Sequence, residues 1–153
     1  MLVLAAIGTG AIFTGSNPSY TPNELAHHIK ASQSKFLFSE PEILESLARA
    51  ASQAGIPDQN IWIFDNLGQK IPPGRRSWRD LLNFGEADWV RFDNSKTCNE
   101  TPAARLFSSG TTGLPKAATV THGNLIAEHE FTLGANPRPY RVSIFPWSPL
   151  NIS

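Results

Sequence analysis

Between Leu106 and Lys116 the chain reads Leu-Phe-Ser-Ser-Gly-Thr-Thr-Gly-Leu-Pro-Lys, a run of hydroxyls, glycines and one cation set between two apolar segments. Few chain segments are so tightly constrained. Gly110 and Gly113 let the backbone turn sharply and approach an anion, while Ser108, Ser109, Thr111 and Thr112 supply short hydroxyl donors and Lys116 a mobile positive charge. Such a loop is built to meet phosphate. It is not the P-loop of nucleotide triphosphatases, because Pro115 and Lys116 stand where a Gly-Lys pair followed by Ser or Thr would be required. A bland alternative exists, since Gly/Ser/Thr-rich segments are commonly ordinary connections.

Elsewhere, strand-like and helix-like segments alternate, which predicts an α/β fold. The apolar start from Leu2 to Phe13 has the look of a signal-peptide core, but it lacks a basic leader and Gly8 and Gly10 interrupt it. A buried helix entering a strand is the expected structure there. Thr21 is placed to cap a helix that has Pro22 at its first position and Glu24 in its first turn, with Leu25, His28, Ile29 and Ser32 on one face. Lys35–Ser39 predicts a short buried strand. Pro41–Ala54 predicts a helix through Ile43, Leu44, Leu47 and Ala51, stopped by Gly55. Ile61–Phe64 predicts another strand. From Asp65 to Pro102 the pattern decays into glycine, proline and charge, with one short helix over Trp78–Phe84. Ala103–Phe107 is the strand expected to deliver the loop, His122–Leu133 the helix after it, and Val142–Phe145 a further strand.

Thirteen basic and thirteen acidic residues cancel, so the chain lacks the positive footprint that nucleic acid or anionic lipid selects. The single cysteine, Cys98, forms no internal disulfide, and no Cys/His cluster has zinc spacing. An intracellular protein without a structural metal or a membrane span is expected. The glycosylation patterns at Asn99-Glu100-Thr101 and Asn151-Ile152-Ser153 carry weight only in a secreted protein. His122 and His129 lie seven apart beside Glu128 and Glu130, a spacing that admits a metal but fits a solvated helix face better. His27 and His28 are neighbours in sequence and therefore face different ways. The tryptophans, 62, 78, 89 and 147, are expected to act as packing anchors.

The string Ser108-Ser109-Gly110-Thr111-Thr112-Gly113-Leu114-Pro115-Lys116 resembles the signature of the adenylate-forming superfamily, which includes acyl-CoA ligases, luciferases and peptide-synthetase adenylation domains. The resemblance, of the 4-coumarate:CoA-ligase-like kind, extends back through Gly10–Leu25 and forward through Thr121-His122-Gly123-Asn124-Leu125. It implies a partial doubly wound sheet with flanking helices, a piece of the large N-terminal domain, covering 1–153 with 65–102 an irregular linker within it. It also implies ATP-dependent acid activation with ATP and Mg²⁺ as cofactors, and a small carboxylic acid and CoA as partners. The residues that would grip the ATP phosphates are Ser108, Ser109, Gly110, Thr111, Thr112, Gly113 and Lys116, with no catalytic residue and no metal ligand in this stretch. Ala117 stands where the family usually has glycine, and Phe145–Leu150 lacks the histidine of the family's Phe-His pair. The acid pocket, the adenine and ribose motifs and the catalytic lysine of the second domain would lie outside this sequence, so a truncated internal piece of a large enzyme is expected. Its location would be cytoplasmic or peroxisomal. The alternative is a remnant without activity, which would bind a partner chain through exposed sheet edges.

Overall fold

Thr21 sets the first well-defined helix, and it does so with a reciprocal cap. In the computed structural model, which describes residues 2–108 and 115–135, Thr21 accepts from the Glu24 amide while the Glu24 carboxylate accepts from the Thr21 amide at 2.8 Å. The Thr21 amide, and then the Thr21 hydroxyl, both donating to the carboxylate, hold the Glu24 carboxyl below its ordinary pKa. Helix α2 (Pro22–Ser32) follows, and its buried residues are Leu25, Ala26, His28, Ile29 and Ser32, the predicted face with one alanine added. Its end is closed by Gln33 in the left-handed region, at φ 56°.

Strand β1 (Leu37–Ser39) runs parallel to β2 (Ile61–Ile63), with Leu37 opposite Ile61 and Ser39 opposite Ile63. Parallel neighbours need a crossover. Here it is a 3₁₀ turn (Pro41–Ile43), helix α3 (Leu44–Ala54) and a second 3₁₀ turn (Asp58–Asn60). Gly55, at φ 76°, ends α3 in a conformation that a Cβ would strain. The core gathers Leu25, Ala26 and Ile29 of α2, Leu37 of β1, Leu44, Ala50 and Ala51 of α3, and Ile61 and Ile63 of β2. Ile61 and Ile63 are its largest fully buried side chains.

Between Ile63 and Pro102 the chain adds strand β3 (Arg76–Ser77), parallel to β2, a 3₁₀ helix (Trp78–Phe84) and helix α4 (Ser95–Glu100). Asp65 anchors this stretch. Burial raises the pKa of its carboxyl, but the Ser77 hydroxyl at 2.8 Å and the Arg79 guanidinium at 2.6 Å outweigh burial and hold it below the usual range. Trp62 is buried beneath the Arg76 guanidinium, 3.8 Å from the ring centre, and Trp78 packs on Phe64. Both are anchors, as expected.

The N-terminal segment departs from its expected burial. Helix α1 (Leu2–Gly8) forms, yet Gly8 is its only buried residue, and Val3, Leu4 and Ile12 are exposed. Among the described residues, the Trp89–Val90 segment covers its end: the Val90 amide donates to Gly8 O at 2.8 Å, and Trp89 lies against Gly8. Trp89 nevertheless stays 60% exposed. The expected entering strand is a single parallel bridge, Phe13 to Ala104.

The loop's flanks form an antiparallel hairpin: strand β4 (Pro102–Ser108) pairs with β5 (Lys116–Thr121), and helix α5 (His122–Ala135) follows directly. The described strands thus make a three-stranded parallel sheet and a two-stranded antiparallel one. The predicted strand Val142–Phe145 and Trp147 lie outside the described residues.

Replacing Ile63 with alanine is expected to cost about 2–5 kcal/mol and with valine about 0.5–1.5, because the site has no solvent to collapse toward. Gly55→Ala should cost about 1–2 kcal/mol through backbone strain alone, since none of the described residues lies within 4 Å of the added methyl. Urea denaturation of the three variants checks both.

Candidate functional site

Of the residues expected to grip phosphate, the structure describes Ser108 and Lys116. They are cross-strand partners, the last rung of the β4–β5 ladder before the loop. Both are exposed. Directly opposed residues of an antiparallel pair hold their side chains about 4.5–5.5 Å apart at Cβ, so the two side chains rise from the same side of the hairpin at the loop mouth. Ser109, Gly110, Thr111, Thr112 and Gly113 lie outside the described residues.

Three attachments fix β4 along its length. At its start, α4 and α5 clamp the base of the hairpin: the His122 amide donates to Thr101 O at 3.1 Å. Thr121 and Asn124 also exchange bonds across the first turn of α5, with the Asn124 amide donating to Thr121 Oγ1 at 3.1 Å and the Thr121 amide to Asn124 Oδ1 at 3.0 Å. The Thr-His-Gly-Asn segment is therefore a helix cap. In its middle, β4 holds Phe13, whose amide donates to Ala103 O and whose carbonyl accepts from the Arg105 amide at 2.8 Å. Toward the loop, α2 takes over. Arg105 donates to Ser32 O at 2.5 Å and to Gln33 Oε1 at 3.2 Å, placing a cation on the carbonyl end of α2. His28 of the same helix stacks on Phe107, with ring centres 3.9 Å apart.

His122 is buried against Phe92, 4.1 Å between ring centres, which corrects the expectation of a solvated face at that position. Helix α4 packs closely here because Gly123 has no Cβ: the Asn99 side chain occupies the space that one would need. His129, Glu128 and Glu130 are exposed. Among the described residues no group of three His, Cys, Asp or Glu side chains could hold a metal ion, and no helix is long and apolar enough to cross a membrane. Cys98 is half-buried, with its thiol donating to Phe92 O at 2.9 Å.

Sequence reasoning missed β5, α4 and the α2–β4 contacts. Thr119-Val120-Thr121 carried a β-branched signal for the first. Asn94 carried a capping signal for the second, its side chain accepting from the Thr97 amide at 2.8 Å. Nothing local signals the third.

Residues 1–148 match the family described as AMP-binding enzyme. The chain belongs to that family. Among similar proteins, phenylacetyl-CoA ligase epaB of Aspergillus niger is 45% identical over 145 residues, which are 94% of this chain and 27% of the relative. The chain thus spans about a quarter of that relative's length. Among solved structures, a long-chain-fatty-acid-CoA ligase from Archaeoglobus fulgidus superposes with a TM-score of 0.73 at 22% identity, over 90% of this chain and 25% of that one. ATP-bound MatB from Rhodopseudomonas palustris gives 0.64 at 26% identity, over 87% and 24%. The AMP-binding fold accounts for the α/β arrangement around the hairpin.

Arg105→Ala is expected to cost about 1.5–3 kcal/mol, because it removes a charged donor from two acceptors at the end of α2. Arg105→Lys should recover only part, since one ammonium does not reproduce the fork. Urea denaturation with circular dichroism measures both.

Proposed function

We propose that this chain supplies the phosphate-gripping hairpin of an ATP-dependent acid:CoA ligase. The reaction is acyl-adenylate formation: a substrate carboxylate oxygen attacks the α-phosphorus of ATP, the bond to the bridging oxygen breaks, and pyrophosphate leaves. In the second half the CoA thiol attacks the acyl carbon, loses its proton, and displaces AMP. The observation that carries the reading is the Ser108–Lys116 rung at the mouth of a seven-residue loop, in a chain of this family. Its donor set suits a triphosphate, since hydroxyls and one cation can follow charge as it moves onto departing pyrophosphate.

In this reading Lys116 neutralises the outer phosphates, Ser108 donates to a phosphate oxygen, and Ser109, Thr111 and Thr112 close over them with Gly110 and Gly113 giving the backbone its turns. Magnesium enters as the counter-ion of ATP and screens the same oxygens. The carboxylic acid is taken to be small, in keeping with relatives named for phenylacetate and other acyl groups. A cytoplasmic or peroxisomal setting goes with that chemistry.

A second reading has one specific observation in its favour. The residues of β5 from Lys116 to Thr119 are exposed, as are Leu106, Ile126 and Phe131. A chain without activity could pair with a partner along that edge.

Two measurements separate the readings. Calorimetric titration with ATP and with magnesium pyrophosphate should give weak binding that Lys116→Ala largely abolishes. A Thr111→Ala/Thr112→Ala variant should lose about 0.5–1.5 kcal/mol per hydroxyl. Equal binding by parent and variants, or none at millimolar ligand, sinks the phosphate reading. Pyrophosphate exchange by the chain alone, over a panel of aromatic and fatty acids, is expected to stay at the Lys116→Ala level, because phosphate contacts do not by themselves align a carboxylate with the α-phosphorus.

A further inference from the structure

His28 is a buried imidazole that no step above uses. It is 4% exposed, it lies between α2 and β4, and it touches the strand one residue before Ser108. Its Nε2 is 3.0 Å from Thr14 Oγ1, and the Thr14 hydroxyl donates to Arg105 O at 2.8 Å. A hydroxyl has one proton. Since the Arg105 carbonyl can only accept, Thr14 spends that proton there and must receive from His28, so the hydrogen sits on Nε2. Among the described residues, Nδ1 is buried without a hydrogen-bond partner. In the neutral ring that atom is a bare acceptor, whereas in the imidazolium it would be a buried donor with nothing to meet.

We propose that His28, as the neutral Nε2–H tautomer, is a positioning residue that seats the loop end of β4 on α2 and thereby sets the Ser108–Lys116 rung. The relay is Nε2–H to Thr14, Thr14 to the Arg105 carbonyl, with the ring face on Phe107. Three segments distant in sequence meet at that one ring. The groups around it favour the neutral form. His27 is adjacent on α2, Arg105 places its guanidinium on the end of the same helix, and the Tyr20 ring lies 6.4 Å away. Glu24, one turn back, is engaged by Thr21. Burial and then His27 lower the His28 pKa from its ordinary value near 6.5. With the folded value depressed, the seating is fully present above the unfolded value and weakens as the pH falls below about 6.5 toward the folded one.

The inference rests on the phosphate reading only for its purpose, and the two fail separately. The test is amide hydrogen exchange across Leu106–Ser108 and Lys116–Ala118 in the full chain between pH 7.5 and 5, with the imidazole nitrogen shifts of His28. His28→Phe keeps the ring but loses the donor, and His28→Gln returns an N–H. The parent should show the Nε2–H tautomer. Its exchange at these rungs, corrected for intrinsic rate, should rise as the pH falls. His28→Phe should exchange about threefold to tenfold faster at pH 7.5 and lose the pH dependence, with His28→Gln partly restoring protection. Rungs that are flat with pH in the parent, an Nδ1–H tautomer, or a Phe variant matching the parent would each overturn the proposal. If His28→Phe does not fold, the parent's tautomer and pH profile decide alone. Pyrophosphate titration of Lys116→Ala judges the phosphate reading independently: its failure leaves the exchange result standing.

Discussion

One helix face carries the arrangement. The buried stripe of α2 is shared between two tasks, because residues three and four apart fall on the same side of a helix. Leu25 and Ile29 enter the core with Leu37, Ile61 and Ile63, while His28 and Ser32 meet β4. Packing α2 onto the parallel sheet therefore fixes the hairpin at the same time. A two-stranded hairpin is marginal in water by itself. Here it borrows rigidity from a core to which it contributes little, through the Phe13 bridge, the Arg105 guanidinium and the His28 ring. The stability of the parallel sheet and the geometry of the loop mouth are therefore physically linked.

Elements were legible in the sequence where a local signal and a tertiary demand coincide. Thr21-Pro22-Asn23-Glu24 encodes a cap, a fixed first turn and an acidic partner within four residues, and the helix begins there. Gly55 and Ile61–Ile63 are similar, since a left-handed stop and a β-branched run have few other uses. Legibility failed where structure depends on distant partners. The two residues of β3 exist because β2 offers an edge, and Arg76 reaches Trp62 and Gln59 across it. In β5, Ala117 and Ala118 have little strand preference, and it is the pairing with Leu106 and Phe107 that extends them. The apolar start misled for a related reason. Hydropathy predicts that a segment seeks cover, not that the described chain provides it, and α1 receives little beyond Trp89 and Val90.

The site divides the same way. Residue type singled out Ser108 and Lys116 as candidates, but their opposition across a rung is a matter of register, which the cross-strand partners determine. Thr14, His28 and Arg105 were unreadable as a group, because the Thr14–Arg105 bond spans 91 positions and no spacing rule connects them. His28 read only as part of a buried face. What gives it a role is the direction of one hydroxyl proton.

In the phosphate reading proposed above, the loop faces opposed demands, and its composition and its described flank answer one each. On that reading its donors would have to follow charge as it passes from ATP to pyrophosphate, which suits glycine, short hydroxyls and a lysine on a long stem. Yet moving donors stabilise a developing charge only if they start from a fixed place, since a small displacement in a near-attack geometry costs heavily in rate. On that reading the glycines and hydroxyls of the loop supply the adaptability, and the Ser108–Lys116 rung at its two flanks supplies the fixed reference. A hydrogen-bonded strand pair alone would slide or fray at that last rung. The aromatic stack of Phe107 on His28, backed by a relay to the strand's own carbonyl, restrains the final residue before the loop from the opposite side of the ladder. Such a restraint is better made from a neutral ring than from an ion, because a charge buried there would itself have to be desolvated.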